Sequence, residues 1–320
     1  MARHAPMNHR GAYVVLAYHQ VVEHWDGLQL AVEAPVFREQ LQFLRNDGEI
    51  VSVAELVARW RRGVRPAGRV YALTFDDGYA SLAAVAHPIL KAFGCPATVF
   101  LATGFMDQPS VFPWWDQLRH FVSTTREKIE WLGDTFPLRS ASEKFRFFKH
   151  ASRLIVHDAR RLPKLLELVS KSLEIVAQPR NEFLDWDTVR ALTAHGIFDF
   201  APHTVTHPVL SACSNAADEI AQSKQRLLDE TGIDSRIFAY PYGRPEHYSA
   251  KVIDMLTALG YEAAFTTVFG HVHANSRALA LPRINIGRKD SLRKFVARLR
   301  YPSLFDIGSR WRDFRYRALR

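Results

Sequence analysis

Three short segments carry residue types suited to hydrolytic chemistry. Thr74-Phe75-Asp76-Asp77-Gly78 sets two carboxylates side by side at the end of the apolar run Val70–Phe75. Neighbouring carboxylates are costly together unless something positive lies between them. On a regular strand they would point to opposite faces, and Gly78 permits a bend that turns both toward one point. One carboxylate can then bind a metal while the other acts as a base; a solvated Asp-Asp-Gly turn is the plainer alternative. The second segment is His203-Thr204-Val205-Thr206-His207. On a continuous strand two histidines four apart lie about 13 Å from each other, whereas across one helical turn they can share an ion. The flanking Pro202 and Pro208 support a break in the strand. Thr204 stands where the His-Glu-x-x-His of zinc proteases has its glutamate, and two unrelated loop histidines are the alternative. In the third segment, Phe238 to Gly243, a Pro-Tyr-Gly turn can offer a backbone N–H to a developing oxyanion, unless it is an ordinary loop.

Short apolar runs must position these segments. The pattern predicts strands over Ala12–Tyr18, Val70–Phe75, Ala97–Ala102, Ile197–Ala201, Arg236–Tyr240, Tyr261–Thr266 and a last run, Leu279–Ile286. Amphipathic helices fall between them: Val36–Arg45 before Gly48, Ser52–Arg62, Ala80–Phe93 before Gly94, Thr188–His195, Ala216–Glu230 and Ser249–Leu259. Repeated strand–helix units argue an α/β fold with a parallel sheet covered by helices. Roughly seven strands favour a barrel over an open doubly wound sheet. The acidic and histidine segments both fall at C-terminal strand ends, where barrel enzymes place their sites. Two histidines and a carboxylate commonly hold a catalytic metal with one position open to water, and a second carboxylate next door is a ready general base. Phe105 to Phe183 breaks the rhythm and reads as a mostly helical insertion that shapes the substrate site, with Trp114 and Trp115 either packed in its core or open to ring stacking.

Composition narrows the classes further. The 320 residues are 48% hydrophobic and 23% charged, as in an ordinary globular protein. Two distant cysteines, Cys95 and Cys213, make neither a thiolate metal site nor a disulfide framework. The net charge is +9, and eleven basic against three acidic residues between Arg288 and Arg320 account for nearly all of it. A near-neutral body with a basic tail argues against a nucleic-acid-binding protein. The tail places Leu292, Phe295, Val296 and Leu299 on one helical face, with Trp311, Phe314 and Tyr316 among arginines beyond. That pattern suits either an anionic membrane surface or a helix packed on the body. Residues 1–290 are accordingly expected to form the body and 291–320 the tail. Met1 to Arg10 show no signal-peptide pattern, so the expected location is the cytoplasm, peripheral to the inner face of the membrane if the tail binds lipid.

Thr-Phe-Asp-Asp-Gly, His-Thr-x-x-His and Pro-Tyr-Gly, in this order between Thr74 and Gly243, resemble the polysaccharide deacetylase family, the NodB-homology or carbohydrate esterase family 4 group. The wider resemblance spans residues 11 to 290. It implies a distorted (β/α) barrel, a divalent metal (Zn²⁺ foremost) on Asp77, His203 and His207, Asp76 as general base, and the Tyr242 N–H as oxyanion donor. It also implies a hydrolase that removes acetyl groups from an N-acetylated glycan, polymeric or lipid-linked. Two features depart from the family pattern. Ala239 occupies the place of an arginine in the third motif, and the late Asp and His motifs are not evident after residue 243. The branch containing poly-N-acetylglucosamine deacetylases supplies its histidine early, after a first strand ending in Tyr-His, and Tyr18-His19 is similar to it. His19 is therefore expected as general acid, and Arg283 of Leu281-Pro282-Arg283-Ile284 as the replacement arginine beside Asp76. An amidohydrolase acting on a non-sugar amide and a non-catalytic carbohydrate-binding protein on the same scaffold are the alternatives.

Overall fold

Twelve strands appear in chain order: β1 (Ala12–Tyr18), β2 (Gln20–Val22), β3 (Ala31–Glu33), β4 (Gly48–Ile50), β5 (Arg69–Asp77), β6 (Ala97–Leu101), β7 (Ile129–Trp131), β8 (Asp134–Phe136), β9 (Phe198–Pro202), β10 (Ile237–Ala239), β11 (Ala263–Phe269) and β12 (Leu281–Asn285). The computed structural model describes residues 11–305 apart from 26, 29, 108–112, 159–160, 174–181 and 288–290. The main sheet runs β10-β11-β12-β1-β5-β6-β9, all parallel, with β4 added beside β5. This is the nearly closed, distorted barrel of seven strands that the strand–helix alternation predicts.

Period-two alternation explains why the site sits inside the barrel mouth. Val70 and Ala72 of β5, Phe100, Ala201, Ala239, Phe265 and Leu281 form one buried cluster. Continuing β5 in steps of two from Ala72 reaches Thr74 and Asp76. The same step from Ala201 reaches His203, and from Leu281 reaches Arg283. The apolar interior thus hands over to polar groups at the C-terminal end. The other face of β5 carries Tyr71, Leu73 and Phe75, all fully buried, and Phe75 meets Phe37 of the helix Ala34–Asp47 edge-on.

Local chemistry sets most helix ends as expected. Ser52 caps Val53–Arg61 by accepting a bond from the Glu55 N–H at 3.1 Å. One expectation needed correction. The helix predicted over Ala80–Phe93 opens as a wide π turn, Leu82–Ala86, before the α-helix His87–Phe93. Pro88 lacks an N–H and its ring crowds the preceding turn, so the wider winding accommodates it. Gly48, read as a helix stop, also starts β4, because its extended backbone continues beside Arg69 of β5.

Residues 25–29 and 108–182 form a second unit. Its helices are Trp114–Thr124, Ala141–His157 and Leu162–Leu173, and the second of them carries a Ser140–Glu143 capping box. The expected mostly helical character holds, with an unforeseen hairpin of β7 and β8 turned at Leu132-Gly133, where both φ angles are positive. Trp114 packs against the core of this unit, which contains Leu118, Phe121, Trp131 and Phe147.

The first part of the stretch expected as a tail, Leu292–Arg300, is a helix. Helix Leu292–Arg300 buries Phe295 and Leu299 completely. Phe295 meets Phe43 edge-on at 6.2 Å, the Leu299 carbonyl accepts from His271 Nε2 at 2.8 Å, and Arg300 lies 3.5 Å from Asp47. Two residues of the apolar face, Phe295 and Leu299, are thus spent on protein packing, which supports the reading of a helix packed on the body. Residues 306–320, including Trp311, Phe314 and Tyr316, lie outside the described residues. Among the described residues no helix is long and apolar enough to cross a membrane.

Candidate active site

Strand β5 ends by delivering both acidic residues into the barrel mouth. Asp76 and Asp77 are buried. Asp77 turns into the left-handed region at φ 74°, followed by Gly78 at φ 86°. That φ is one L side chains rarely adopt, so the bend favours glycine. The turn is what lets neighbouring carboxylates serve one site.

Arg283, expected beside Asp76, lies there. Its side chain is fully buried. Nη1 and Nη2 donate to the two oxygens of Asp76, each at 2.7 Å. Nε donates to the Thr266 carbonyl at 2.9 Å, and Nη1 also reaches Thr74 Oγ1 at 3.1 Å. A planar guanidinium suits this two-pronged contact as an ammonium does not. Burial alone would raise the Asp76 carboxyl, but the charge and hydrogen bonds of Arg283, helped by His203 and His19, hold it well below the usual carboxylate range. Asp76 is therefore ionised at neutral pH.

Asp77, His203 and His207 offer donor atoms within 4.8 Å of one another, and all three residues are buried. Asp77 Oδ1 lies 3.7 Å from His203 Nε2 and 3.4 Å from His207 Nε2. Ligands about 2.0–2.1 Å from a tetrahedral zinc sit roughly 3.3 Å apart, so the separations fit such an ion. His203 Nδ1 donates to the Ala239 carbonyl at 2.7 Å. A carbonyl only accepts, so the Nδ1 carries the proton and Nε2 keeps its lone pair. Burial, against the pull of Asp76, brings His203 down to about 4, and burial together with the neighbouring His203 drives His207 well below its ordinary value. Both imidazoles are neutral at pH 7, the form that ligates a metal.

The histidine segment does leave strand geometry, as its spacing demands. Thr204 and His207 adopt left-handed φ angles of 69° and 58°. Each such residue costs about 1–3 kcal/mol and persists only where its surroundings fix it. Here Thr103 N–H bonds the Thr204 carbonyl at 3.0 Å, Gly104 N–H bonds the Val205 carbonyl at 2.9 Å, and the Thr204 hydroxyl accepts from His207 N–H at 3.0 Å. Glu219 completes the cage. It lies in the first turn of helix Ala216–Thr231, and nothing in its local sequence marks it as part of the site.

Tyr242 is also left-handed, at φ 59°. The Thr267 hydroxyl donates to its carbonyl at 2.6 Å, and its ring packs edge-on to His207 at 4.7 Å. Four of the five non-glycine residues with positive φ among those described belong to these motifs: Asp77, Thr204, His207 and Tyr242. His19 is half-buried just beyond β1. Burial lowers its imidazole, while the charge of Asp76 raises it and that of Arg283 lowers it, so it lies within their electrostatic reach. His271, a late histidine without a family motif, holds Leu299 instead of joining the site.

Comparison with known proteins places this geometry. The chain is 26% identical over 301 residues to the poly-β-1,6-N-acetyl-D-glucosamine N-deacetylase of Escherichia coli K12, an alignment covering 92% of the chain and 39% of that relative. The chain thus spans about two-fifths of the relative's length. Among solved structures, Streptococcus pyogenes deacetylase PplD superimposes with a TM-score of 0.60 at 21% identity, covering 89% of this chain and 96% of that one. IcaB from Ammonifex degensii gives 0.57 at 20%, with the same coverages. At these identities the structural likeness shows the fold. The family model for polysaccharide deacetylase matches residues 63–264, a stretch that holds the acidic turn, the two buried histidines and the Pro-Tyr-Gly turn, and the chain therefore belongs to the polysaccharide deacetylase family.

Proposed function

We propose that this chain is a divalent-metal-dependent hydrolase that removes acetyl groups from an N-acetylated glycan. The observation that carries the reading is the pairing of an ionised carboxylate, Asp76 fixed by Arg283, with the three-donor cluster of Asp77, His203 and His207 beside it. The poly-N-acetylglucosamine deacetylase of Escherichia coli supports the substrate class.

Asp77, His203 and His207 would hold the ion, and the open-site pattern of two histidines and a carboxylate favours zinc. When bound, such an ion polarises a water and the acetamide carbonyl. Asp76 takes a proton from the attacking water as the new C–O bond forms. Arg283 keeps Asp76 ionised and fixes its orientation. The Tyr242 N–H stabilises the negative oxygen of the tetrahedral intermediate. His19, neutral at rest, accepts the proton from Asp76 and delivers it to the nitrogen as the C–N bond breaks. Acetate and a free amino sugar result. Asp76 and Asp77 thus have separate tasks, set by a guanidinium on one and two imidazoles beside the other.

The test is acetate release from β-1,6-linked N-acetylglucosamine oligomers by metal-stripped protein before and after addition of zinc. Zinc-restored release supports the reading. Hydrolysis of small non-sugar amides alone would point to an amidohydrolase, and tight zinc binding with no hydrolysis at all would point to a binding protein.

A further inference from the structure

The segment between the two histidine ligands is gripped from one side by a single carboxylate. Glu219 Oε2 accepts from the N–H groups of Val205 and Thr206 at 2.9 and 2.8 Å, and Oε1 accepts from the Thr206 hydroxyl at 2.6 Å. Glu219 is 6% exposed. On the other side, the Thr103 and Gly104 N–H groups take the Thr204 and Val205 carbonyls. A Cβ at Gly104 would stand 2.8 Å from the Val205 oxygen, so that wall is already as close as it can come. Two successive N–H groups converging on an anion form a nest, a concavity that attracts negative charge. Here the chain supplies the anion itself.

We propose that Glu219 is a positioning residue that holds residues 203–207 in their ligand-presenting shape, so that the cation site is formed before the ion arrives. This rests on the metal site described above. The left-handed turns at Thr204 and His207 are strained and need a fixed Val205–Thr206 peptide between them. Without the carboxylate, two N–H groups lose their acceptor. The peptide can then rotate, and His207 relaxes out of the left-handed region. That movement carries His207 Nε2 away from Asp77 Oδ1, 3.4 Å from it in this structure. The cost falls on binding, because the ion must then restore the turn.

The test uses the full chain, stripped of metal, as wild type, Glu219→Ala and Glu219→Gln. Zinc affinity is measured by competition with a chromophoric chelator, and circular dichroism checks folding at the same temperature. Groups that support metal ligands from outside typically carry a 10–100-fold effect on affinity, so folded Glu219→Ala is expected to bind zinc about 10–100-fold more weakly. Glu219→Gln keeps an oxygen for the two N–H groups and an amide for the Thr206 hydroxyl, and recovers most of that loss. Wild-type affinity in folded Glu219→Ala, even with a lowered melting temperature, would reduce Glu219 to ordinary helix packing and overturn the proposal. Should Glu219→Ala not fold, Thr206→Val removes one of the three bonds, and unchanged zinc affinity there counts against the proposal in the same way. A wild-type chain that takes up no zinc overturns the metal reading itself, a distinct outcome.

Discussion

Replacing Arg283 with methionine should strip Asp76 of its counter-charge inside the barrel. The side chains are 0% and 4% exposed, so water cannot substitute for the lost guanidinium. Hydrogen bonds to charged groups contribute about 1.5–3 kcal/mol each. Asp76 receives two from Arg283, which gives roughly 3–6 kcal/mol on that scale. Removing one partner of a buried ion pair costs about 3–5 kcal/mol by a separate route. Both figures are a large share of a typical domain's 5–15 kcal/mol. The double variant Asp76→Asn with Arg283→Met removes both charges of the pair, so neither is left without its partner. Its loss should therefore fall short of the sum of the single losses by about 2 kcal/mol or more. Arg283→Lys keeps a point charge without the fork and should fall between. Urea unfolding of EDTA-treated protein reads these values as midpoint shifts at constant slope and excludes any contribution from bound metal. Strict additivity, or a single-variant loss under about 1 kcal/mol, would refute the idea that Asp76 depends on this arginine.

Five further variants have outcomes that follow from the structure. Asp76→Asn should lower turnover about 10²–10⁴-fold while zinc affinity stays near wild type; His203→Ala should lose both, by chelator competition and acetate release. His19→Ala should reduce kcat with little change in zinc affinity, and unchanged kcat would remove it from the mechanism. Gly243→Ala should lower kcat more than metal affinity, because φ is 60° and the new Cβ would lie 2.6 Å from Thr267 N, displacing the Tyr242 turn. Burial raises Asp47, but bonds from Tyr71 and Arg69 and the charge of Arg300 outweigh it and hold the carboxyl low. A depressed folded value stabilises above the unfolded pKa of about 3.9 and ceases to do so as pH falls through the folded value. Asp47→Asn should therefore flatten the loss of urea stability below about pH 5, and identical acid limbs would refute this.

Legibility in the sequence followed the range of the forces involved. The barrel strands announced themselves because a buried parallel strand must be apolar along its length, as Val70 to Phe75 is. The histidine turn was legible because no strand could bring His203 and His207 together. Arg283 sits 207 residues from Asp76, and only the empty place at Ala239, seen through the family likeness, directed attention to it. Glu219 had no such pointer: an acidic residue in a helix's first turn is ordinary, and its three bonds exist only in the fold. The hairpin of β7 and β8 was missed because three-residue strands carry too little alternation to register. Helix Leu292–Arg300 displayed its apolar face in the sequence, but the surface that receives it, Phe43 and Phe269 among others, is assembled from distant segments.

The sheet has an open seam. Its ladders run from β10 round to β9, and among the described residues no ladder joins those two end strands. At the mouth the gap is crossed by the bond from His203 Nδ1 to the Ala239 carbonyl. One imidazole therefore fastens the two edges with one nitrogen and turns the other toward Asp77, within the proposed cation site. Loading the site should tighten the staves of the barrel as a clasp tightens a hoop, and amide exchange along Phe198–Pro202 and Ile237–Ala239 should slow when zinc is supplied.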